Sequence, residues 1–169
     1  MTFEKILRIS PTEIQNILER CKTTPQDATR HPEAPHDVVP HNVYKHIKIV
    51  YNRAIKSGDK DLILSALFHD LGKVETTKPS TKKENSWSSP GHELVSEHFV
   101  EKYKEWIEQM GANWKNVFII VHEHMRIKYI NEMRKRKRED FKKNSLFDKI
   151  VLFSELDNMQ TITEEELNI

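Results

Sequence analysis

The sequence predicts an all-α protein, a single helical bundle of about six to seven helices. Three observations carry that expectation. Apolar side chains recur at steps of three and four residues in one stretch after another. Helix start and stop signals bracket those stretches. No two alternating apolar–polar runs are joined by turn residues, so no strand pair is expected. A chain of 169 residues is one domain by size and is long enough for a substantial core. The expected organisation is a single domain over 1–169, with an N-terminal helix at 10–22, a Pro-rich loop at 23–40 and a helical core at 41–160.

The elements follow in order. Ser10-Pro11-Thr12-Glu13 reads as a helix start, with Ser as N-cap, Pro at the first helical position and Glu closing a capping box. Ile14, Ile17, Leu18 and Cys21 then recur at helical spacing. Prolines break any period between Thr23 and Pro40, so an ordered loop or flap is expected there. From His41, the positions Val43, Ile47, Val50 and Ala54 mark a second amphipathic helix, stopped by Gly58. A third helix, from about Asp61 to Leu71, is apolar nearly all round and belongs in the core; Gly72 stops it. Val74 to Pro90 is polar and reads as a surface loop. Val95, Phe99, Tyr103, Trp106 and Met110 share one face of the next helix, ended by Gly111. Asn113 can cap another, with Val117, Ile120, Val121 and His124 at helical steps. A basic stretch, Arg126 to Lys143, leads to a last helix carrying Leu146, Phe147, Ile150, Val151, Ser154 and Asp157.

Composition excludes several function classes. With 27 basic and 26 acidic side chains, no global field draws the chain to nucleic acid or membrane. The single cysteine, Cys21, cannot form an internal disulfide, which fits a reducing compartment. No apolar run is long enough to span a bilayer, and the N-terminus lacks a signal-type pattern. The expectation is a cytoplasmic protein with no membrane partner.

The chemistry centres on His69-Asp70, at the end of the apolar run Leu62 to Phe68. Two adjacent metal-competent side chains at the end of a buried helix are costly to bury unless something satisfies them, and a divalent cation does so. Further candidate ligands lie on both sides: His41 before, then His92, His122, His124 and Asp157. His92 stands three residues before Val95 and seven before Phe99, so it points inward. His124 stands four past Ile120 and seven past Val117, and Asp157 seven past Ile150. The plainer reading is a set of individually hydrogen-bonded core histidines. So many inward imidazoles and carboxylates make a poor core without a metal, which favours the centre. Mixed imidazole and carboxylate ligation suits one or two divalent ions, among them Mn, Fe, Co, Ni, Mg and Zn.

The ordered segments Arg30-His31-Pro32-Glu33, His41, Phe68-His69-Asp70-Leu71-Gly72-Lys73, Gly91-His92-Glu93, Val121-His122-Glu123-His124-Met125-Arg126 and the late Asp157 resemble the HD-domain metal-dependent phosphohydrolases. The resemblance covers roughly 30–159 and is similar in detail to the HD domain attached to some bacterial CCA-adding tRNA nucleotidyltransferases. No nucleotidyltransferase segment stands ahead of this region in the sequence, so CCA addition does not carry over. What the resemblance implies is an all-α HD fold and hydrolysis of phosphoesters by a metal-activated water. It implies a four-ligand set of His41, His69, Asp70 and Asp157, with His92 and one of His122 or His124, preferably His124, holding a second ion bridged by Asp70. The implied substrates are nucleotide or RNA-end phosphoesters, of the 2',3'-cyclic phosphodiesterase or nucleotidase type.

Several residues have two readings. Lys73 is either a favourable cation at a helix C-terminus or a phosphate contact beside Asp70. Arg126 either approaches the phosphate or is a solvated helix residue. His31 either covers the site or donates to a leaving group, or it lies unused in the Pro-rich loop. His46 and His98 read as ordinary helix-surface histidines. The basic stretch 134–143 allows RNA as a partner, although a solvated face is the simpler reading and no aromatic side chains interleave with Arg134-Lys135-Arg136-Lys137-Arg138 for base stacking. Two alternatives stand beside the leading function: a nucleoside triphosphate or alarmone hydrolase on the same site, and a non-catalytic nucleotide- or RNA-binding module.

Overall fold

The apolar helix that ends in His69-Asp70 is the element around which the core is assembled. The computed structural model describes residues 1–26, 42–84 and 86–169 of the chain. In it this helix, α4, runs over Lys60–Phe68 and is preceded by α1 (Phe3–Ile9), α2 (Thr12–Cys21) and α3 (Val43–Ser57). It is followed by α5 (Lys73–Thr76), β1 (Lys78–Pro79), β2 (Trp87–Ser88), α6 (His92–Lys102), α7 (Lys104–Gln109) and α8 (Trp114–Glu123). A 3₁₀ segment at Arg126–Glu132, α9 (Lys135–Lys142), α10 (Phe147–Asp157), a short 3₁₀ turn at Met159–Thr161 and α11 (Glu164–Leu167) complete the described chain.

Asp59 starts α4: its carboxylate accepts from the amides of Asp61 and Leu62 at 2.9 and 3.3 Å. Leu62, Leu64, Ser65, Ala66, Leu67 and Phe68 are all buried, as a helix apolar all round requires. The surrounding faces are supplied by α3, α6, α8 and α10. Val43, Ile47, Val50, Tyr51 and Ala54 line the inner face of α3, Val117, Ile120 and Val121 that of α8, and Ile150 and Phe153 that of α10. Each fully buried valine, isoleucine or phenylalanine among them contributes roughly 1.5–3 kcal/mol. Gly58 ends α3 in the left-handed conformation, φ 71°, which a glycine adopts without steric cost.

The architecture is all-α, as expected, but more finely divided than six or seven helices: the described residues contain eleven α-helices. The N-terminal helix α1 was not expected, because a stretch of seven residues, with Phe3, Ile6 and Leu7 at helical spacing, is less than two full turns of periodic signal. Phe3 packs edge-on against Tyr44 and Tyr51 with ring centroids at 5.5 and 5.3 Å, so aromatic tertiary contacts stabilise a helix too short to stand alone. Ser10 consequently closes α1, its hydroxyl donating to the Ile6 carbonyl at 2.7 Å, instead of capping α2, whose N-cap is Pro11. The expected helix over 95–110 is split at Tyr103 (φ −107°, ψ 26°), where the hydroxyl is bonded to Glu13 of α2. The expected loop 74–90 contains the β1–β2 ribbon, pairing Lys78 with Ser88 and Pro79 with Trp87. The C-terminal α11 is held to α3 by Arg53, which pairs with Glu166 and donates to the carbonyls of Leu156 and Asn158.

Asp61, 7% exposed, ties three helices together. Its carboxylate accepts from the Asn113 amide at 2.8 Å, the Asn116 side-chain amide at 2.9 Å and Lys149 of α10 at 2.7 Å. Burial alone would raise its pKa, but Lys149 and the two amides outweigh burial and hold the carboxyl below its ordinary value. Asp61→Ala should lower the unfolding free energy by about 2–3 kcal/mol in urea titrations. A folded-state pKa below the unfolded value gives a contribution that is complete above about pH 4 and is lost as pH falls towards the folded value. The stability gap between wild type and Asp61→Asn should therefore narrow in acid; a gap that widens there contradicts this account.

Candidate metal centre

Three histidines are oriented by the same local device. His69 follows the last residue of α4, and its Nδ1 lies 2.9 Å from the Ala66 carbonyl. His92 opens α6 with Nδ1 2.8 Å from the Ser89 carbonyl, which the β1–β2 ribbon sets in place. His124 follows α8 with Nδ1 on the Val121 carbonyl. A carbonyl oxygen accepts only a protonated ring nitrogen, so these partners assign the proton to Nδ1 and leave the Nε2 lone pair facing inward.

Those lone pairs converge on carboxylates. Asp70 Oδ1 lies 3.1 Å from His92 Nε2 and 3.5 Å from His124 Nε2, and the two imidazole nitrogens are 3.1 Å apart. On the other side, Asp70 Oδ2 lies 3.2 Å from His46 Nε2 and 3.4 Å from His69 Nε2, again with the nitrogens 3.1 Å apart. Asp157, the last residue of α10, adds Oδ1 at 2.9 Å from His46 Nε2 and 3.2 Å from His69 Nε2. All six side chains are buried. The ligand atoms fall into two groups able to hold a cation, His46–His69–Asp70 and Asp70–His92–His124, with Asp157 joining the first through its two imidazoles.

Electrostatics sharpen the point. Burial opposes ionisation of Asp70 and Asp157, yet neighbouring groups outweigh it: His69 and Lys73 for Asp70, Lys128 and His69 for Asp157. Both carboxyls are held well below their ordinary value. Burial pushes His124 down to about 4, so its imidazole is neutral at neutral pH. For His46 burial again opposes the charge, but Asp157 and Asp70 prevail and its pKa is raised. Its Nδ1 has no hydrogen-bond partner among the described residues, and neither does Asp157 Oδ1. Two anionic carboxylates and inward imidazole lone pairs at near-contact distance repel one another, and a divalent cation converts that repulsion into coordination. Coordination through His46 requires its ring to be neutral.

Of the residues singled out in the sequence, the structure brings together His69, Asp70, Lys73, His92, His124 and Asp157. Lys73 is buried with Nζ 3.0 Å from Asp70 Oδ2 and 3.4 Å from Gln26 Oε1. His122 lies outside the cluster, half-exposed, stacked on Phe118 and bonded to Glu97. Arg126 also stays out: its guanidinium is 3.3 Å from Glu123 and 4.7 Å above the Phe141 ring. His98 is exposed. His31 and His41 lie outside the described residues; α3 begins at Val43, with the Asn42 side chain capping Lys45 at 2.8 Å. The expectation for His46 is overturned. It stands three residues after Val43 and four before Val50, on the apolar face of α3, and is 3% exposed. That register was the available signal. Lys128 was also missed: it stands on the 3₁₀ segment after the His124 turn, and its Nζ meets Asp157 Oδ2 at 2.9 Å.

Gly72 serves a purpose other than stopping a helix. Its φ of −64° suits any residue, and the chain continues into α5. A Cβ there would lie 2.2 Å from the His92 carbonyl oxygen and 2.8 Å from Val95 Cβ, while its amide donates to Ser96 Oγ at 2.9 Å. The glycine lets the backbone after Asp70 touch α6, bringing His92 within reach of the carboxylate.

A family model for the HD domain matches residues 42–164, and the chain belongs to the HD-domain family. No curated protein and no solved structure matches it.

The two ligand groups generate a stoichiometry test. Protein loaded with Mn²⁺ should carry two ions per chain by elemental analysis, and His46→Ala and His92→Ala should each retain about one, being in different groups. Undiminished loading in His46→Ala would make that residue an ordinary core histidine.

Proposed function

We propose that this chain is a metal-dependent phosphohydrolase acting on nucleotide or RNA-end phosphoesters, of the 2',3'-cyclic phosphodiesterase or nucleotidase type. The observation that carries the reading is Asp70, one oxygen directed to each imidazole pair. A divalent ion supplies Lewis acidity toward a phosphoryl oxygen and lowers the pKa of a bound water to about 7. The residues do the rest. Asp70 fixes the spacing of the two ligand groups, and the backbone carbonyls of Ala66, Ser89 and Val121 hold the imidazoles in register. Phe153 packs edge-on against His69 and His124, at 5.3 and 6.3 Å, and keeps water from the rear of the centre. Lys73 offsets negative charge beside Asp70. The motif resemblance to HD domains of CCA-adding enzymes supports trying 2',3'-cyclic phosphates and 2'-nucleotides first.

A second reading, a nucleoside triphosphate or alarmone hydrolase, draws support from an open groove lined by Arg126, Arg134 and Lys137 together with Glu132, Met133 and Asp140. A binding module is the non-enzymatic alternative. Among the described residues no helix is long and apolar enough to cross a membrane.

Purified protein supplied in turn with Mn²⁺, Co²⁺, Ni²⁺, Mg²⁺ and Zn²⁺ should hydrolyse at least one member of a panel of cyclic, mono- and triphosphate nucleotides, and Asp70→Ala should reduce turnover to background. Undiminished turnover in chelator contradicts the reading, whereas tight nucleotide binding without product favours the binding module. The basic stretch separates small from polymeric substrates. If it contacts RNA, the log–log salt dependence of binding should have a slope of roughly 0.7 per neutralised phosphate. Neutralising Arg134, Lys135 and Arg136 should leave mononucleotide turnover unchanged, and the solvated-face reading expects little effect on RNA as well. Loss of RNA turnover alone would make RNA the substrate.

A further inference from the structure

Asp157 has a buried side and a solvent side. Oδ1 faces the imidazoles of His46 and His69, whereas Oδ2 meets Lys128 Nζ at 2.9 Å. The Asp157 side chain is 2% exposed and that of Lys128 is 42% exposed, so Lys128 reaches the centre from solvent. Lys73, the other ammonium at the site, is enclosed between Asp70 and Gln26. Lys128 sits on the 3₁₀ segment Arg126–Glu132, which directly follows the His124 turn and packs on α10 beside Asp157.

An ammonium has three N–H donors. Lys128 directs one at Asp157 Oδ2, and among the described residues no hydrogen-bond partner takes the others. A cation fixed at one end by a buried carboxylate, with donors to spare on the solvent side, is preorganised for an anion that enters from that side.

We propose that Lys128 is a phosphate-positioning residue: seated on Asp157, its ammonium takes a non-bridging oxygen of the substrate's phosphoryl group. This assignment rests on the phosphohydrolase reading for the identity of the anion. The competing role is structural, with Lys128 only orienting Asp157 toward the centre. The two roles differ in what they do to metal affinity.

Calorimetry separates them, with Mn²⁺ alone as one probe and inorganic phosphate added to Mn²⁺-loaded protein as the other. Lys128→Met and Lys128→Gln should weaken phosphate binding by about tenfold or more, the effect of losing a charge-assisted hydrogen bond. Mn²⁺ affinity should change by less than about threefold, and Lys128→Arg should keep phosphate binding within about threefold of wild type. A purely orienting residue would instead cost about 10–100-fold in Mn²⁺ affinity, and that result overturns the proposal. Unchanged phosphate binding in both neutral variants overturns it as well, as does failure of both variants to fold by circular dichroism. Wild-type protein that binds Mn²⁺ and phosphate but hydrolyses no nucleotide contradicts the hydrolase reading while the Lys128 assignment stands. Wild-type protein that turns over nucleotide yet shows no Lys128-dependent phosphate binding does the reverse.

Discussion

The carboxylate of Asp70 is the constraint on which the rest of the structure depends. One oxygen lies within 3.5 Å of the Nε2 atoms of His92 and His124, the other within 3.4 Å of those of His46 and His69. A buried anion so placed is unfavourable unless its surroundings supply positive charge. Lys73 supplies part of it at 3.0 Å. Three of the imidazoles, those of His69, His92 and His124, turn the Nδ1 proton away to a carbonyl, which is the geometry of metal ligands rather than of a self-contained polar core.

The bundle exists to bring α3, α4, α6, α8 and α10 to that point. Five of the six cluster residues stand at or next to helix ends: His69 and Asp70 after α4, His92 at the start of α6, His124 after α8 and Asp157 at the end of α10. A helix end frees the backbone carbonyl three residues back to accept from Nδ1, which a residue in mid-helix cannot use so readily. His46 is the exception, embedded in α3, and its Nδ1 finds no such partner among the described residues. The apolar lining of α4 and the Phe153 ring seal the rear of the centre, so its electrostatics operate in a medium less polar than water.

Residues with a strong periodic context were readable in the sequence. Val95 and Phe99 fixed the inward face for His92, Val117 and Ile120 that for His124, and Ile150 that for Asp157; all three polar residues are buried. His46 obeys the same rule, and reading it as a surface residue neglected its register with Val43 and Val50. Other features depend on tertiary contact and have no local signal. The helix α1 is held by Tyr44 and Tyr51, and the close approach at Gly72 is set by α6. Lys128 lies in a run of polar and basic residues where only the fold distinguishes one cation from its neighbours. His41 stands outside the described residues.

The central claim, that the converged imidazoles and carboxylates are stable together because a divalent cation holds them, is tested most directly by thermal unfolding in chelator and in excess Mn²⁺. Each site filled by free ion at about a hundred times its dissociation constant should add about 2.7 kcal/mol of stability. For a domain of this size that corresponds to a rise in Tm of roughly 5–10 °C over the chelated protein. Identical melting curves in chelator and in Mn²⁺ would contradict the account and leave the cluster an ordinary, self-satisfied polar core.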